Sequence, residues 1–282
     1  VVRWSLENRQ DKQIIIKDIS CYGLMMNENG DLFVSDCEKD EVKRWRKGEI
    51  GGEGTIVAGG NGQGDKLNQL NRPTFIFIDE EETVYVSDCG NHRVMKWIRG
   101  AKEGIVVAGG QGQGNSLKQL SYPEGLLVNE VGDVYVADYG NHRIMCWPFG
   151  SEEGHVVVGG NGEGQGSNQL NGPRGLSFDA ENNLYVVDCY NHRIQRFARN
   201  NTNGTTMVGN TNPETITLFY PTGVLLDGND NLFILDSSNH RIIGSSWNGF
   251  RCIVGCYGGG NLTNFQLSFP QSMAFDSYGN LY

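Results

Sequence analysis

The feature that most constrains this chain is a repeat of about 50 residues. The segment Thr83-Val-Tyr-Val-Ser-Asp-Cys-Gly-Asn-His-Arg-Val-Met-Lys-Trp97 returns as Asp133-Val-Tyr-Val-Ala-Asp-Tyr-Gly-Asn-His-Arg-Ile-Met-Cys-Trp147. It returns again over residues 183–197, in shortened form over 231–242, and in degenerate form over 31–45. The marker aspartates Asp36, Asp88, Asp138, Asp188 and Asp236 are spaced 52, 50, 50 and 48 residues apart. Pro73, Pro123, Pro173, Pro221 and Pro270 keep the same beat. Self-similarity at this period demands an architecture of stacked, equivalent units.

Each unit holds four short β-type runs, here a to d. In one copy, run a follows Pro123 to Val128, run b is Asp133–Asp138, run c is His142–Trp147 and run d is His155–Val158. The runs are rich in Val, Ile, Tyr and Leu and are bounded by Gly, Asn or Asp. Proline stands where run a begins, a position at which its missing N–H costs little. No helical period competes. Four strands per unit with short turns predicts an all-β β-propeller with four-stranded antiparallel blades.

Counting type-a and type-d runs predicts six blades: 20–60, 73–110, 123–160, 173–209, 221–256, and 270–282 joined by 1–17. Val1-Val-Arg-Trp4 resembles the c run Val94-Met-Lys-Trp97, and Asn280-Leu-Tyr282 resembles the b run Asn183-Leu-Tyr185. The terminal blade is therefore expected to be closed by strands from both chain ends. A chain that starts and stops inside strands is expected to be a segment of a longer one, and residues 1–282 to form a single, monomeric propeller domain.

The pattern Tyr-Val-x-Asp-x-x-Asn-His-Arg-Ile resembles the NHL repeat, with four close copies spanning most of the chain. The resemblance implies a six-bladed propeller used mostly for binding. Its relatives include RNA- and protein-binding tripartite-motif proteins, bacterial surface sensors and a zinc-dependent amidating lyase. A propeller is a scaffold, so function has to be argued from sites.

The recurring Asp…Asn-His-Arg group contains residue types found in active sites, but catalytic sets are made once and this one recurs. The pairs Asp88–Arg93, Asp138–Arg143, Asp188–Arg193 and Asp236–Arg241 each flank a tight b–c turn and read as structural cross-strand pairs. Asn91 suits a left-handed turn position. His92, His142, His192 and His240 occupy equivalent turns, and symmetric copies stand too far apart to share one ion. No metal, cofactor or catalytic residue is assigned. The glycine loops Ala58–Gly64, Ala108–Gly114 and Val158–Gly166 lead to a proline and a strand rather than to a helix, which sets them apart from phosphate-binding loops.

Cysteine gives mixed signals. Cys37, Cys89 and Cys189 are equivalent positions of separate units, and Cys252 and Cys256 are too far apart if the strand there is extended. Seven free thiols are expected, which favours a reducing compartment. The sequons at Asn200, Asn203 and Asn261 allow an extracellular one.

Charge narrows the partners. With 33 acids against 23 bases the net charge is −10, which disfavours nucleic acid. No apolar run is long enough to span a membrane. The leading expectation is a non-enzymatic binding or scaffold module that meets a protein or peptide through its b–c turns. Glu38, Lys39, Tyr139, Tyr190 and Ser237 vary between units there and are the candidate contacts. The alternatives are an amidating-lyase or six-bladed-hydrolase enzyme, and an RNA-binding domain. In the first unit Asp40 and Glu41 replace His and Arg, so that turn is expected to be the least stable.

Overall fold

The computed structural model describes residues 1–5, 12–210, 212, 215–256 and 267–282. The sequon at Asn261 lies outside the described residues; Asn200 and Asn203 are exposed.

The described residues form five four-stranded antiparallel sheets, each pairing its strands in the order a, b, c, d. Blade I comprises Cys21–Met26, Leu32–Asp36, Glu41–Trp45 and Thr55–Gly59. Blade II comprises Pro73–Ile78, Val84–Asp88, Arg93–Trp97 and Ile105–Gly109. Blade III comprises Pro123–Val128, Val134–Asp138, Arg143–Trp147 and His155–Gly159. Blade IV comprises Pro173–Phe178, Leu184–Asp188, Arg193–Phe197 and Thr205–Gly209. Blade V comprises Gly223–Leu226, Leu232–Asp236, Arg241–Ser246 and Gly249–Val254. The chain is an all-β propeller.

The expected count of six four-stranded blades is corrected to five. At the chain ends, Val2–Trp4 and Lys12–Ile14 pair in a two-stranded sheet. Single bridges join Trp4 to Leu281 and Phe275 to Leu281. After the turn at Tyr278–Gly279 only Asn280, Leu281 and Tyr282 follow, too few residues to build a ladder. Even so, Trp4 N donates to Leu281 O at 2.7 Å and Leu281 N donates to Trp4 O at 2.9 Å.

By contact density the chain divides into two compact units. One contains Val1–Val136, Cys146–His155 and Ser272–Tyr282; the other contains Ala137–Met145 and Val156–Gln271. In the first unit, the facing surfaces of blades I and II bury Phe33, Val42, Leu70, Ile76, Val86, Met95 and Trp97. A second cluster joins Ile15, Ile16, Leu24, Val34, Trp45 and Ala274. In the second unit, blades IV and V bury Val187, Ile194, Val208, Leu218, Val224, Ile234 and Ile243. Burial on both faces explains why the b strands read as nearly continuous apolar runs.

The turns between a and b repeat one device. The side chain of Asn27, Asp79, Asn129, Asp179, Asp227 or Asp276 accepts the backbone N–H four residues later, at 2.7–2.9 Å. These side-chain acceptors help to close each a–b turn.

One cysteine expectation is overturned. Cys252 and Cys256 form a disulfide, with Cα atoms 5.7 Å apart. The strand ends at Val254, and Gly255 at φ +76° turns the chain back, so the extended separation assumed from sequence does not apply. The other five cysteines form no disulfide.

Candidate binding surface at the b–c turns

The b–c turns are built from buried polar groups rather than solvated ones. Asp88 and Arg93 are directly paired residues at the end of the b–c ladder. Arg93 Nε donates to Asp88 Oδ2 at 2.6 Å, and Asn91 Nδ2 donates to the same oxygen at 2.8 Å. Asp88 Oδ1 accepts the Asn71 N–H at 2.7 Å. The rest of the Arg93 guanidinium donates to the carbonyls of Asp65, Lys66 and Gln69 at 2.8–3.1 Å. One side chain thus fastens the b–c turn to the glycine loop that precedes its blade.

Arg193 repeats this arrangement, with Nε 2.7 Å from Asp188 and the fork on the carbonyls of Gln165, Gly166 and Gln169. Arg143 and Arg241 bond Asp138 and Asp236 at 2.7 Å. All four carboxylates are fully buried. Burial raises the Asp88 and Asp188 carboxyls, against the pull of their Asn and Arg donors.

The left-handed position expected for Asn91 belongs to its neighbour. Asn91 ends a short 3-10 turn and spends its side chain on Asp88, whereas His92 adopts φ 54°. His142, His192 and His240 do likewise, at φ 54–55°. The histidine side chains then reach forward. Nδ1 of His92, His142, His192 and His240 accepts the N–H of Tyr122, Gly172, Tyr220 and Phe269, respectively, at 3.0–3.1 Å. Each acceptance fastens the residue before the proline of the next repeat, and it requires a neutral imidazole with an unprotonated Nδ1. Sequence reasoning missed this role; the signal was the histidine's fixed offset of about 30 residues from a Pro-preceding position.

The residues so held have positive φ, and where they are aromatic they stack on the histidine. His92–Tyr122, His192–Tyr220 and His240–Phe269 ring centroids are 4.4–4.7 Å apart, edge to face. Gly172 is the exception, and the space has been used differently. A Cβ there would lie 2.5 Å from Tyr190 Cδ2 and 3.0 Å from Tyr139 Cε2. The two tyrosines occupy that space, with their hydroxyls 2.6 Å apart.

A continuous aromatic surface follows within the second unit. Tyr139 packs on Tyr190, Tyr190 on Tyr220, and Tyr220 on both Phe219 and His192. The Arg174 guanidinium lies 5.5 Å from the Tyr139 ring centre. Tyr190 is 45% exposed and Phe219 is 48% exposed. Burial and the Tyr190 hydroxyl raise the Tyr139 phenol, so it stays protonated and able to donate.

Of the expected contact residues, Tyr139 and Tyr190 meet in this cluster. Glu38 and Lys39 are exposed in the blade I turn, where Lys39 Nζ is 3.9 Å from Asp36. Ser237 is buried, with 3% of its surface exposed, because its short 3-10 turn packs it inward. Among the described residues, no group of three His, Cys, Asp or Glu side chains is arranged to hold a metal ion. None of the described helices is long and apolar enough to cross a membrane.

Comparison with known proteins agrees with this architecture. The NHL repeat family matches residues 120–147 and 170–197. Among curated proteins, none matches the sequence significantly. Solved structures share the fold at low identity. A streptogramin B lyase is 13% identical with a TM-score of 0.60, covering 94% of this chain and 90% of its own. A gluconolactonase from Xanthomonas campestris is 14% identical with a TM-score of 0.66, covering 92% and 80%. A chain of a nidogen/laminin complex is 20% identical with a TM-score of 0.60, covering 81% and 76%. The class defined by fold and turn chemistry is the β-propeller. Within it, this chain carries NHL repeats, matched over residues 120–147 and 170–197.

Proposed function

We propose that this propeller is a non-enzymatic binding module that docks a protein or peptide on its b–c turn surface. The observation that carries the reading is the cluster of exposed Tyr190, Tyr220 and Phe219 with half-buried Tyr139, beside Arg174. Aromatic residues and arginine dominate the energetics of protein interfaces. Here they are held by a rigid, buried hydrogen-bond frame, which lowers the entropic cost of docking.

Selection from a random phage-displayed peptide library against the purified chain tests the proposal. Selected peptides should bind wild type and lose at least about tenfold in affinity, about 1.4 kcal/mol, on the Tyr190→Ser/Phe219→Ser variant. Selected peptides that bind both proteins equally would place the binding surface elsewhere.

An enzymatic reading draws on two of the similar structures, a streptogramin B lyase and a gluconolactonase. Linearisation of streptogramin B or hydrolysis of a sugar lactone by the purified chain would favour it. The acidic net charge weighs against the RNA-binding alternative.

A further inference from the structure

The a–b turns of blades I and II, with the a–b turn and residue Phe149 of blade III, enclose a cavity of about 890 Å³ that the b–c surface does not use. It belongs wholly to the first unit. No lysine or arginine lines it, while six carboxylates do. Glu82 is held by Arg44 at 2.9 Å and by Arg99 at 3.3 Å, and Asp79 accepts the Thr83 N–H. The remaining four, Glu28, Glu80, Glu81 and Glu130, are exposed and have no ion pair among the described residues.

Apolar surface accompanies this charge. Val131 is 69% exposed and Phe149 is 70% exposed at the rim, with Met25 and Phe77 lining the interior. The Tyr85 phenol in the wall is pushed up by burial and by the carboxylates of Asp79 and Glu81, in line with a negative potential.

These features select among occupants. A single metal ion does not fit, because no three of the described side chains are arranged to hold one. A hydrophobic segment alone would leave four carboxylates desolvated without partners, which is costly. The volume suits a side-chain-bearing ligand. The match is an extended chain bearing several separated positive charges around an apolar group. We propose that this cavity is a second binding site, specific for a peptide segment in which Lys or Arg residues flank an apolar side chain.

Fluorescence anisotropy with the full chain tests it, using a short fluorescein-labelled peptide that alternates lysine and leucine, and a control with serine for leucine. The lysine–leucine peptide should bind saturably and weaken with salt, and the lysine–serine control should bind at least about tenfold more weakly. The Glu80→Gln/Glu81→Gln/Glu130→Gln variant and, separately, Phe149→Ser should each weaken binding by about tenfold or more. Unchanged circular dichroism would show that these surface variants still fold. Tyr190→Ser, which lies in the other proposed surface, should bind like wild type, so the two proposals fail independently. Absence of saturable binding, equal binding of the serine control, or indifference to the glutamine substitutions would overturn the proposal.

Discussion

Asp40 Oδ1 accepts the backbone N–H of Arg72 at 2.7 Å, the bond that His92 Nδ1 makes to Tyr122 one blade later. Asp40 also shares the left-handed backbone of the histidines, at φ 53°. The degenerate first repeat thus keeps the link to the next blade while changing its chemistry. A carboxylate accepts this bond at any pH above its own titration, whereas an imidazole accepts it only when Nδ1 is unprotonated.

That difference sets a pH dependence. Burial lowers the His192 pKa below its ordinary value, with Asp236 pulling the other way. The unfolded chain therefore binds the proton more readily than the folded one. The contribution is fully present above the ordinary imidazole pKa, and it declines as pH falls through that value toward the lower folded one. Urea denaturation at a series of pH values from neutral to mildly acidic should show declining stability. His192→Gln, which can accept a hydrogen bond without titrating, should show a shallower decline. An equal slope in the variant would remove His192 from the account.

Much of this frame was legible in the sequence, and the parts that were not share a cause. The Asp-to-Arg spacing predicts cross-strand partners, and Asp88 pairs with Arg93, as Asp188 does with Arg193. Spacing within one repeat carries no information about the next repeat. The histidine bond to a residue about 30 positions on and the arginine bonds to a loop about 25 positions back were therefore invisible. The same limit hid the burial of Ser237 and of the marker aspartates Asp88, Asp138, Asp188 and Asp236. The disulfide was missed because a strand was assumed to continue through Gly255.

The arginine fork is the most costly element to remove. Arg193 is 3% exposed and satisfies Asp188 together with three carbonyls. Arg193→Met leaves a buried carboxylate without its cation and should cost about 3–5 kcal/mol. Arg193→Lys keeps the charge but cannot reach four acceptors in one plane, so it should recover only part of that loss. Chemical denaturation of the two variants checks the order. Full recovery by lysine would show that charge, rather than the planar fork, holds the loop.

Thiol counting tests the disulfide. Cys21 is exposed, Cys37 is half-buried, and Cys89, Cys146 and Cys189 are buried. Burial pushes the Cys146 thiol up to about 11, which suppresses the reactive thiolate. In the native protein a thiol reagent should therefore modify Cys21 quickly and the buried three slowly. After denaturation without reductant five thiols should react, and all seven should react after reduction. Seven without reductant would mean that Cys252 and Cys256 are not bonded.

The first repeat offers the sharpest test of the turn argument. Asp36 faces Glu41 where the b–c ladders of blades II, IV and V set Asp against Arg, and both acids are buried. Two devices reduce the repulsion: Lys43 Nζ lies 3.0 Å from Glu41, and Lys39 Nζ lies 3.9 Å from Asp36. Neither lysine replaces the guanidinium fork. Glu41→Arg would remove a like-charge pair, place a donor beside Asp36 Oδ2 and restore the pattern of the other blades. The opposing cost is a new repulsion with Lys43, which is part-exposed and therefore weakened by solvent. A gain of about 1 kcal/mol is expected, the scale of one added charge-assisted hydrogen bond net of this cost. It should appear as a higher urea midpoint with an unchanged m-value. The Glu41→Arg/Lys43→Thr double variant should gain more than the single one. Destabilisation in both would show that the first turn is built around its acids, with the fork of the other repeats having no place there.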